Sequence, residues 1–441
     1  MRRFGPAPEL WPFAVEPDRV QLTWHMLPPG DLEISVAPTG SERSDTPCSD
    51  RPSTDFADGP PSAIVRDGLR GPGALVLTGL RPGRSYVAVV RHPRSDGRSS
   101  RAAVATSPVF RTPPHAPGEE LCRFATVSDL HLGEYRFGYF GTMADLPGHD
   151  EMYPVRAFRH ALDALTRWGA EHLAVKGDVT TESRLDQWEL FAKLTADLPM
   201  PMSVIPGNHD TRRLRTVKKG PVDAALWVLR GGPIARRVGP TRTGEPIDPR
   251  EGLAHIGHPF PGFVRQDDLP GVRLILADTS LPNQHLGSFQ HVAEEVADLA
   301  ADAQRAGSMA WVGGHHFPMR WPVPHFWPPG VLPNEARPFI DRLAAANPRS
   351  FYSAGHTHRN RRYQRGGITC TEVGSPKDFP GTWAGYVVHE GGIRQVTYRV
   401  AGSPDGDDIV PWLDHSAKAA LGAWGRWSPG TLADRCFSLA W

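Results

Sequence analysis

The chain has little cysteine, less lysine for its size, and no long apolar run. Its four cysteines, Cys48, Cys122, Cys370 and Cys436, stand far apart with no Cys-x-x-Cys pair. They read as buried thiols of a reducing cytoplasm and not as a disulfide framework. No stretch of about 18 apolar residues occurs, which excludes a membrane-spanning helix. The start, Met1-Arg2-Arg3-Phe4, is basic but leads into no apolar segment, so no secretory signal is expected and a cytoplasmic location is. Lysine is confined to Lys176, Lys193, Lys218, Lys219, Lys377 and Lys418, and arginine carries nearly all other positive charge. With a formal net charge of +1 there is no global pull toward nucleic acid or an anionic membrane. Recognition of a phosphate must therefore be local.

What is present is enough for two or three domains: 441 residues, 39% hydrophobic and 22% charged. Residues 1 to about 112 alternate as short strands, among them Arg19–Trp24, Leu32–Val36, Ala74–Leu77 and Ser85–Arg91, between Pro/Gly-rich turns. Residues 38–62, rich in Ser, Asp, Pro and Gly, read as a loop inside this region. A Pro-rich linker, Thr112–Glu120, follows. From Leu121 onward apolar strands alternate with helical periods, the pattern of a layered α/β domain. Segments 121–127, 172–175, 202–205, 273–278, 310–312 and 349–353 read as strands, and 156–168 and 185–198 as helices.

Five polar signatures follow strands of that region: Asp129-Leu130-His131, Gly177-Asp178, Gly207-Asn208-His209-Asp210, Gly313-Gly314-His315 and Gly355-His356-Thr357-His358. Alone, Asp-x-His or Gly-Asp is an ordinary turn, and a single histidine is more often a satisfied core residue. Jointly they are different, because ligands collect at the carboxyl ends of strands in open α/β sheets. The inventory of carboxylates, imidazoles and one amide suits divalent transition metals. Two such ions about 3.5–4 Å apart are a known device for cleaving phosphate esters with an activated water.

These motifs, from Cys122 to about Val400, resemble the calcineurin-like metallophosphoesterase superfamily. The resemblance implies a four-layer sandwich of two β-sheets flanked by helices. It implies Asp129, His131 and His358 as ligands of a first ion, Asp178 as the bridging carboxylate, and Asn208, His315 and His356 as ligands of a second. It also implies His209 as the histidine near the leaving group, with Asp210 orienting it. Two divalent ions are thus expected as cofactors, with Mn, Fe, Zn, Ni and Co all compatible. Upstream, Thr78–Gly83 followed by Ser85-Tyr86, and Phe110–Pro114, are similar to turns of fibronectin type III domains. That pairing resembles purple acid phosphatases, but Thr181 stands where they carry a tyrosine, so a ferric charge-transfer centre is not expected. His131 makes the core more similar to class III phosphodiesterases, although Phe317 here separates the paired histidines from Pro318.

The expected organisation is residues 1–116 as a fibronectin- or Ig-like β-sandwich with linker, 117–402 as the catalytic domain, and 403–441 as a segment packed on the latter. The expected activity is hydrolysis of phosphate esters, foremost small diesters such as cyclic nucleotides. A phosphomonoesterase is the alternative, a non-catalytic scaffold of the same fold a third reading, and a protein- or glycan-binding role for residues 1–112 a fourth. Candidate substrate contacts are His316 and Trp321 in the aromatic, Pro-rich run after His315, and Arg212 in the basic run Arg212–Lys219. The partner is a small phosphate ester, with a nucleotide among the candidates. Neither a membrane nor a nucleic-acid polymer is expected, and self-association into a homo-oligomer stays open.

Overall fold

The structure, a computed structural model, describes residues 10–27, 30–39, 61–65, 72–92, 103–138, 143–211, 246–282, 284–321, 329–401 and 409–441. Arg212, the basic run that follows it, most of the 38–62 loop, and Phe326 and Trp327 of the aromatic run lie outside these. The chain divides into two compact units.

The first unit comprises residues 1–115 and 401–414. Its strands form two antiparallel sheets. One joins Leu10–Val15, Arg19–Trp24 and Gly73–Thr78; the other joins Ser62–Val65, Leu32–Pro38, Ser85–Arg91 and Ala105–Thr106, with Phe110–Arg111 pairing Ser85–Arg91. Apolar residues such as Val20, Leu22, Ile34, Val36, Leu75, Ala88 and Val90 are buried, as a two-sheet sandwich requires. Tyr86 accepts a hydrogen bond from Arg81 N at 2.9 Å through its hydroxyl, locking the turn that feeds its strand. Gly73 is needed where Trp24 covers the backbone, since a Cβ there would lie 2.3 Å from the indole ring. The stretch 401–414 was expected on the catalytic domain but groups here. Gln21 donates to Ala401 O at 2.5 Å, His25 Nδ1 lies 2.9 Å from Asp414, and Ile409, Trp412 and Leu413 are buried. Only the remainder, from His415, joins the second unit.

The second unit is built on two six-stranded sheets. The first runs Met202–Ile205, Leu173–Lys176, Glu120–Val127, Thr382–His389, Gly392–Arg399, Cys436–Ala440; its first three strands are parallel and the rest antiparallel. The second runs Val264–Leu269, Val272–Ala277, Met309–Gly314, Ser350–Ala354, Ile368–Glu372, Arg361–Arg365, with the inner four parallel. The sheets meet through aromatic side chains. Phe124 stacks on Tyr386, and Trp311 of the other sheet meets both edge-on. On the outer face of the second sheet, helices Ala293–Arg305 and Pro333–Ala346 bury Val296, Ala300, Phe339, Ile340 and Leu343 against Ile275, Val312 and Tyr352. On the first sheet, helix Tyr153–Trp168 sets Trp168 edge-on to Trp383 and stacks Phe158 on Phe191 of helix Leu185–Thr195. The Tyr153–Trp168 helix starts with a proline in its first turn and ends at Gly169 in the left-handed region (φ 89°), the usual stop signal. Helix, sheet, sheet and helix make the four layers the sequence led us to expect. Among the described residues no helix is long and apolar enough to cross a membrane.

Candidate metal centre

Each signature lies just past a strand. Asp129 and His131 follow Val127, Asp178 follows Lys176, and Asn208 follows Ile205; these come from the first sheet. His315 follows Gly314 and His356 and His358 follow Ala354, from the second. All are carboxyl ends of parallel strands, so the expected convergence occurs at one edge of the unit. The turns are tight. A Cβ on Gly207 would fall 2.3 Å from Asp178 N, and one on Gly355 2.5 Å from Asp129 Oδ2. Asp129, His131, Asp178, His356 and His358 all hold positive φ, from 48° to 81°. Such conformations cost non-glycine residues about 1–3 kcal/mol each and persist where surrounding structure enforces them, commonly at functional sites.

The donor atoms fall into two overlapping groups. In one, His315 Nε2 stands 3.1 Å from Asn208 Oδ1, 3.3 Å from His356 Nδ1 and 3.3 Å from Asp178 Oδ2. In the other, His358 Nε2 stands 3.4 Å from Asp129 Oδ1, and His131 Nε2 stands 3.5 Å from Asp178 Oδ2. Ligands held at about 2.0–2.2 Å around one ion stand roughly 3.0–3.6 Å from each other, so these spacings fit metal coordination. Four sets of three residues hold donor atoms within 4.8 Å of one another: Asp129, His131 and His358; Asp129, Asp178 and His315; His131, Asp178 and His209; and His315, His316 and His356. Asp178 Oδ2 belongs to both groups.

Supporting bonds fix the rings. His315 Nδ1 donates to Lys176 O at 2.8 Å and His356 Nε2 to Pro329 O at 3.2 Å. Both assignments leave the opposite nitrogen for an ion, the arrangement expected of a metal-ligating imidazole. His356 N donates to both oxygens of Asp129, at 3.1 and 2.9 Å. His209 N donates to Asp178 Oδ1 at 2.6 Å, and its ring meets that of His131 edge-on at 4.3 Å.

Charges here hold one another in place. Burial opposes ionisation of His315, yet Asp178 and Asp129 raise it to about 9; at His358 burial is likewise outweighed by Asp378 and Asp129, which lift it to about 10. Asp129 resists the upward push of burial because His358 and His315 hold it below the usual carboxylate range. Burial brings Lys176 down to about 7 against the pull of Asp129 and Glu372. Its ammonium ties the sheets together, donating to Ser353 Oγ at 2.9 Å and Ala354 O at 2.7 Å. A divalent ion would take the place of the imidazolium protons, which is how metal sites couple to proton release.

Three expected contacts differ in the structure. Asp210 was expected to orient His209. Its carboxylate instead accepts from Val179 N, Thr180 N, Thr180 Oγ1 and Gly207 N at 2.6–3.1 Å, clamping the Asp178 turn, while His209 Nδ1 lies 3.3 Å from Thr181 O. Burial, with Asp178 adding to it, pushes Asp210 up to about 7. His316 was expected to face substrate, but it is fully buried with Nδ1 2.9 Å from Thr279 Oγ1 and its ring 4.4 Å from that of His356, beside the donors His315 and His356. The aromatic run divides: Phe317 is core, edge-on to Tyr363 and under Arg361, whereas Trp321 is half exposed with Arg320 over its ring. Sequence reading also passed over His285, whose Nδ1 lies 3.3 Å from Asn208 Nδ2, and Asp378, whose Oδ2 lies 2.5 Å from His358 Nδ1. Neither sits in a motif. Thr181, in the place of the purple acid phosphatase tyrosine, donates its hydroxyl to His131 O at 2.8 Å.

Residues 122–360, more than half of the chain, match the calcineurin-like phosphoesterase family, and the chain belongs to it. Among solved structures, purple acid phosphatase PPD1 from yellow lupin seeds is 12% identical; the alignment covers 89% of this chain and 72% of that one at a TM-score of 0.43. PhoD is 10% identical over 90% of this chain and 87% of its own, at 0.36. The FN5 domain of Drosophila Lar aligns with 24% of this chain and 96% of itself, with 17% identity and a TM-score of 0.16. No curated protein matches the chain in sequence. Membership of the family makes the chain a metallophosphoesterase, and the Asp/His clusters are its candidate metal ligands.

Proposed function

We propose that the chain hydrolyses small phosphodiesters with two divalent ions held by Asp129, His131, Asp178 and His358 on one side and Asp178, Asn208, His315 and His356 on the other. One observation carries this reading: Asp178 Oδ2 lies 3.3 Å from His315 Nε2 and 3.5 Å from His131 Nε2, so one carboxylate oxygen is shared by both donor groups. Bound there, two such ions would activate a water near neutral pH and offset charge on the phosphoryl oxygens. The neutral oxygen of Asn208 keeps that surrounding cationic enough for an anionic ester. His209, with Nδ1 against Thr181 O, presents its other ring nitrogen as the proton carrier to the departing alkoxide. Asp210 fixes the backbone from which Asp178 projects. The resemblance of the Asp-x-His core to class III phosphodiesterases supports a diester over a monoester, and the buried thiols of Cys122 and Cys370 support a cytoplasmic setting.

The test is a substrate panel run on one preparation with metal analysis: bis-p-nitrophenyl phosphate, p-nitrophenyl phosphate and cyclic nucleotides. The expected result is about two ions per chain and the highest kcat/KM on a diester. Preference for p-nitrophenyl phosphate would make the enzyme a monoesterase. Two bound ions with no turnover on any substrate would leave a scaffold.

A further inference from the structure

The histidines of the centre are steadied in two ways. His315 and His356 rest their outer nitrogens on backbone carbonyls, Lys176 O and Pro329 O. His358 instead sets Nδ1 2.5 Å from a carboxylate oxygen of Asp378, while its Nε2 faces Asp129. Asp378 lies twenty positions after His358 and beyond residue 360, where the family match ends. It is fully buried. An isolated carboxylate buried this way would be costly, so its other contacts matter. Oδ1 accepts from the indole N–H of Trp424 at 3.2 Å, and the Lys377 ammonium stands 3.4 Å from Oδ2 while pairing with Glu134.

Trp424 belongs to the C-terminal segment, to which the sequence attached no chemistry. That segment is fastened around the same spot. Ser416 Oγ accepts from Phe379 N at 2.9 Å, and Ser428 O accepts from Asn360 N at 2.9 Å, two residues past His358. The Trp424 ring meets His358 and Phe137 edge-on at 6.1 and 5.9 Å and lies under the guanidinium of Arg359. Strand Cys436–Ala440 then completes the edge of the first sheet.

We infer that Asp378 is a positioning residue for His358, and that the C-terminal segment, through the indole N–H of Trp424, holds that carboxylate in place. A carboxylate on the outer nitrogen fixes the tautomer and aims Nε2 at the ion, and it makes the ring a stronger donor than a carbonyl partner would. Trp424 thereby acts on the first ion through two intermediates without touching it. The inference rests on the reading of His358 as an ion ligand.

The experiment is a Mn²⁺ titration of full-length, chelator-treated protein, with free Mn²⁺ followed by electron paramagnetic resonance and the melting temperature of each metal-free variant recorded alongside. Asp378→Ala should weaken the first site by about 10- to 100-fold, the usual cost of losing such a partner, and spare the second. Asp378→Asn keeps an acceptor oxygen for the imidazole N–H and should recover part of the loss. Trp424→Phe keeps an aromatic ring, smaller than the indole, but not the N–H, and should weaken the same site to a smaller degree, beyond what any fall in melting temperature accounts for. The inference is overturned if Asp378→Ala and Trp424→Phe both bind two ions as the unaltered chain does. It is also overturned if both sites weaken together in proportion to a fall in the metal-free melting temperature, since that is a folding role. Two tight sites in the unaltered chain with no ester hydrolysis would remove the enzymatic reading and leave this one standing.

Discussion

At Asp178 two donor groups share a single oxygen, so its loss cannot be confined to one ion. Asp178→Asn should lower the metal content by at least one ion per chain and abolish nearly all hydrolysis, measured by metal analysis and turnover on the same sample. Retention of two ions and normal turnover would show that it does not bridge. His209 makes the opposite prediction. Its backbone N–H donates to Asp178 Oδ1, and its ring is read as standing outside the ligand set, so His209→Ala should keep both ions and lose roughly 10²–10⁴-fold in turnover. The loss should shrink for p-nitrophenolate leaving groups, which need little protonation. An equal loss on poor and good leaving groups would assign the ring to phosphate positioning. Trp321 is the described member of the aromatic run that reaches solvent. Trp321→Ala should raise the Michaelis constant for a nucleotide by about 5- to 150-fold, the worth of one stacked base, and leave p-nitrophenyl substrates unchanged. A change on both would show that the ring packs and does not recognise.

Strand ends, rather than strands, decide the centre. Gly207 and Gly355 let neighbouring turns approach until a single methyl would strike Asp178 or Asp129. Gly355→Ala should cost about 1–3 kcal/mol as an overpacked contact while removing far more metal affinity than stability, a split visible in paired melting and metal-binding measurements. Parallel losses would mean that the turn serves folding alone. This level of organisation was legible in the sequence because the chemistry and the local pattern coincide: an apolar run stops and a ligand type follows at once. Arg19–Trp24, Ser85–Arg91 and Met202–Ile205 match the sequence reading in their bounds and the other strands named there fall within a residue or two, while the two helices differ by three residues at one end. What could not be read were contacts made by chain folding over long separations. Asp378 reaches His358 by way of an irregular Ser-Pro-Lys-Asp loop with no periodicity to mark it. Asp210 follows His209 in sequence, and it was the family resemblance that made it a partner of that ring. A side chain's direction depends on the turn's φ and ψ, and here it points back into the Asp178 loop.

The two units do not part at the linker alone. Ala401–Asp414 belongs with the N-terminal strands, although it lies between two paired strands of the catalytic unit, Gly392–Arg399 and Cys436–Ala440. No pattern in 403–441 separates its first third from the rest, which is why the sequence assigned it whole. A fragment starting at Gly118 therefore retains every metal-ligand candidate but is left with Ile409, Trp412 and Leu413, buried in the full chain, without their unit. It should bind two ions yet associate and melt earlier, by light scattering and calorimetry. A monomeric fragment with an unchanged melting temperature would show that the catalytic unit buries these residues by itself.

The seven donors arise from both sheets, and this has a consequence for the chain as it is made. Asp129, His131, Asp178 and Asn208 leave the ribosome first, and His315, His356 and His358 more than a hundred residues later. A nascent chain thus carries carboxylates that can attract a cation but has no complete cage until His315, His356 and His358 have been made. The same dependence holds for the first sheet, whose edge is closed against Gly392–Arg399 by Cys436–Ala440, a strand drawn from beyond every donor.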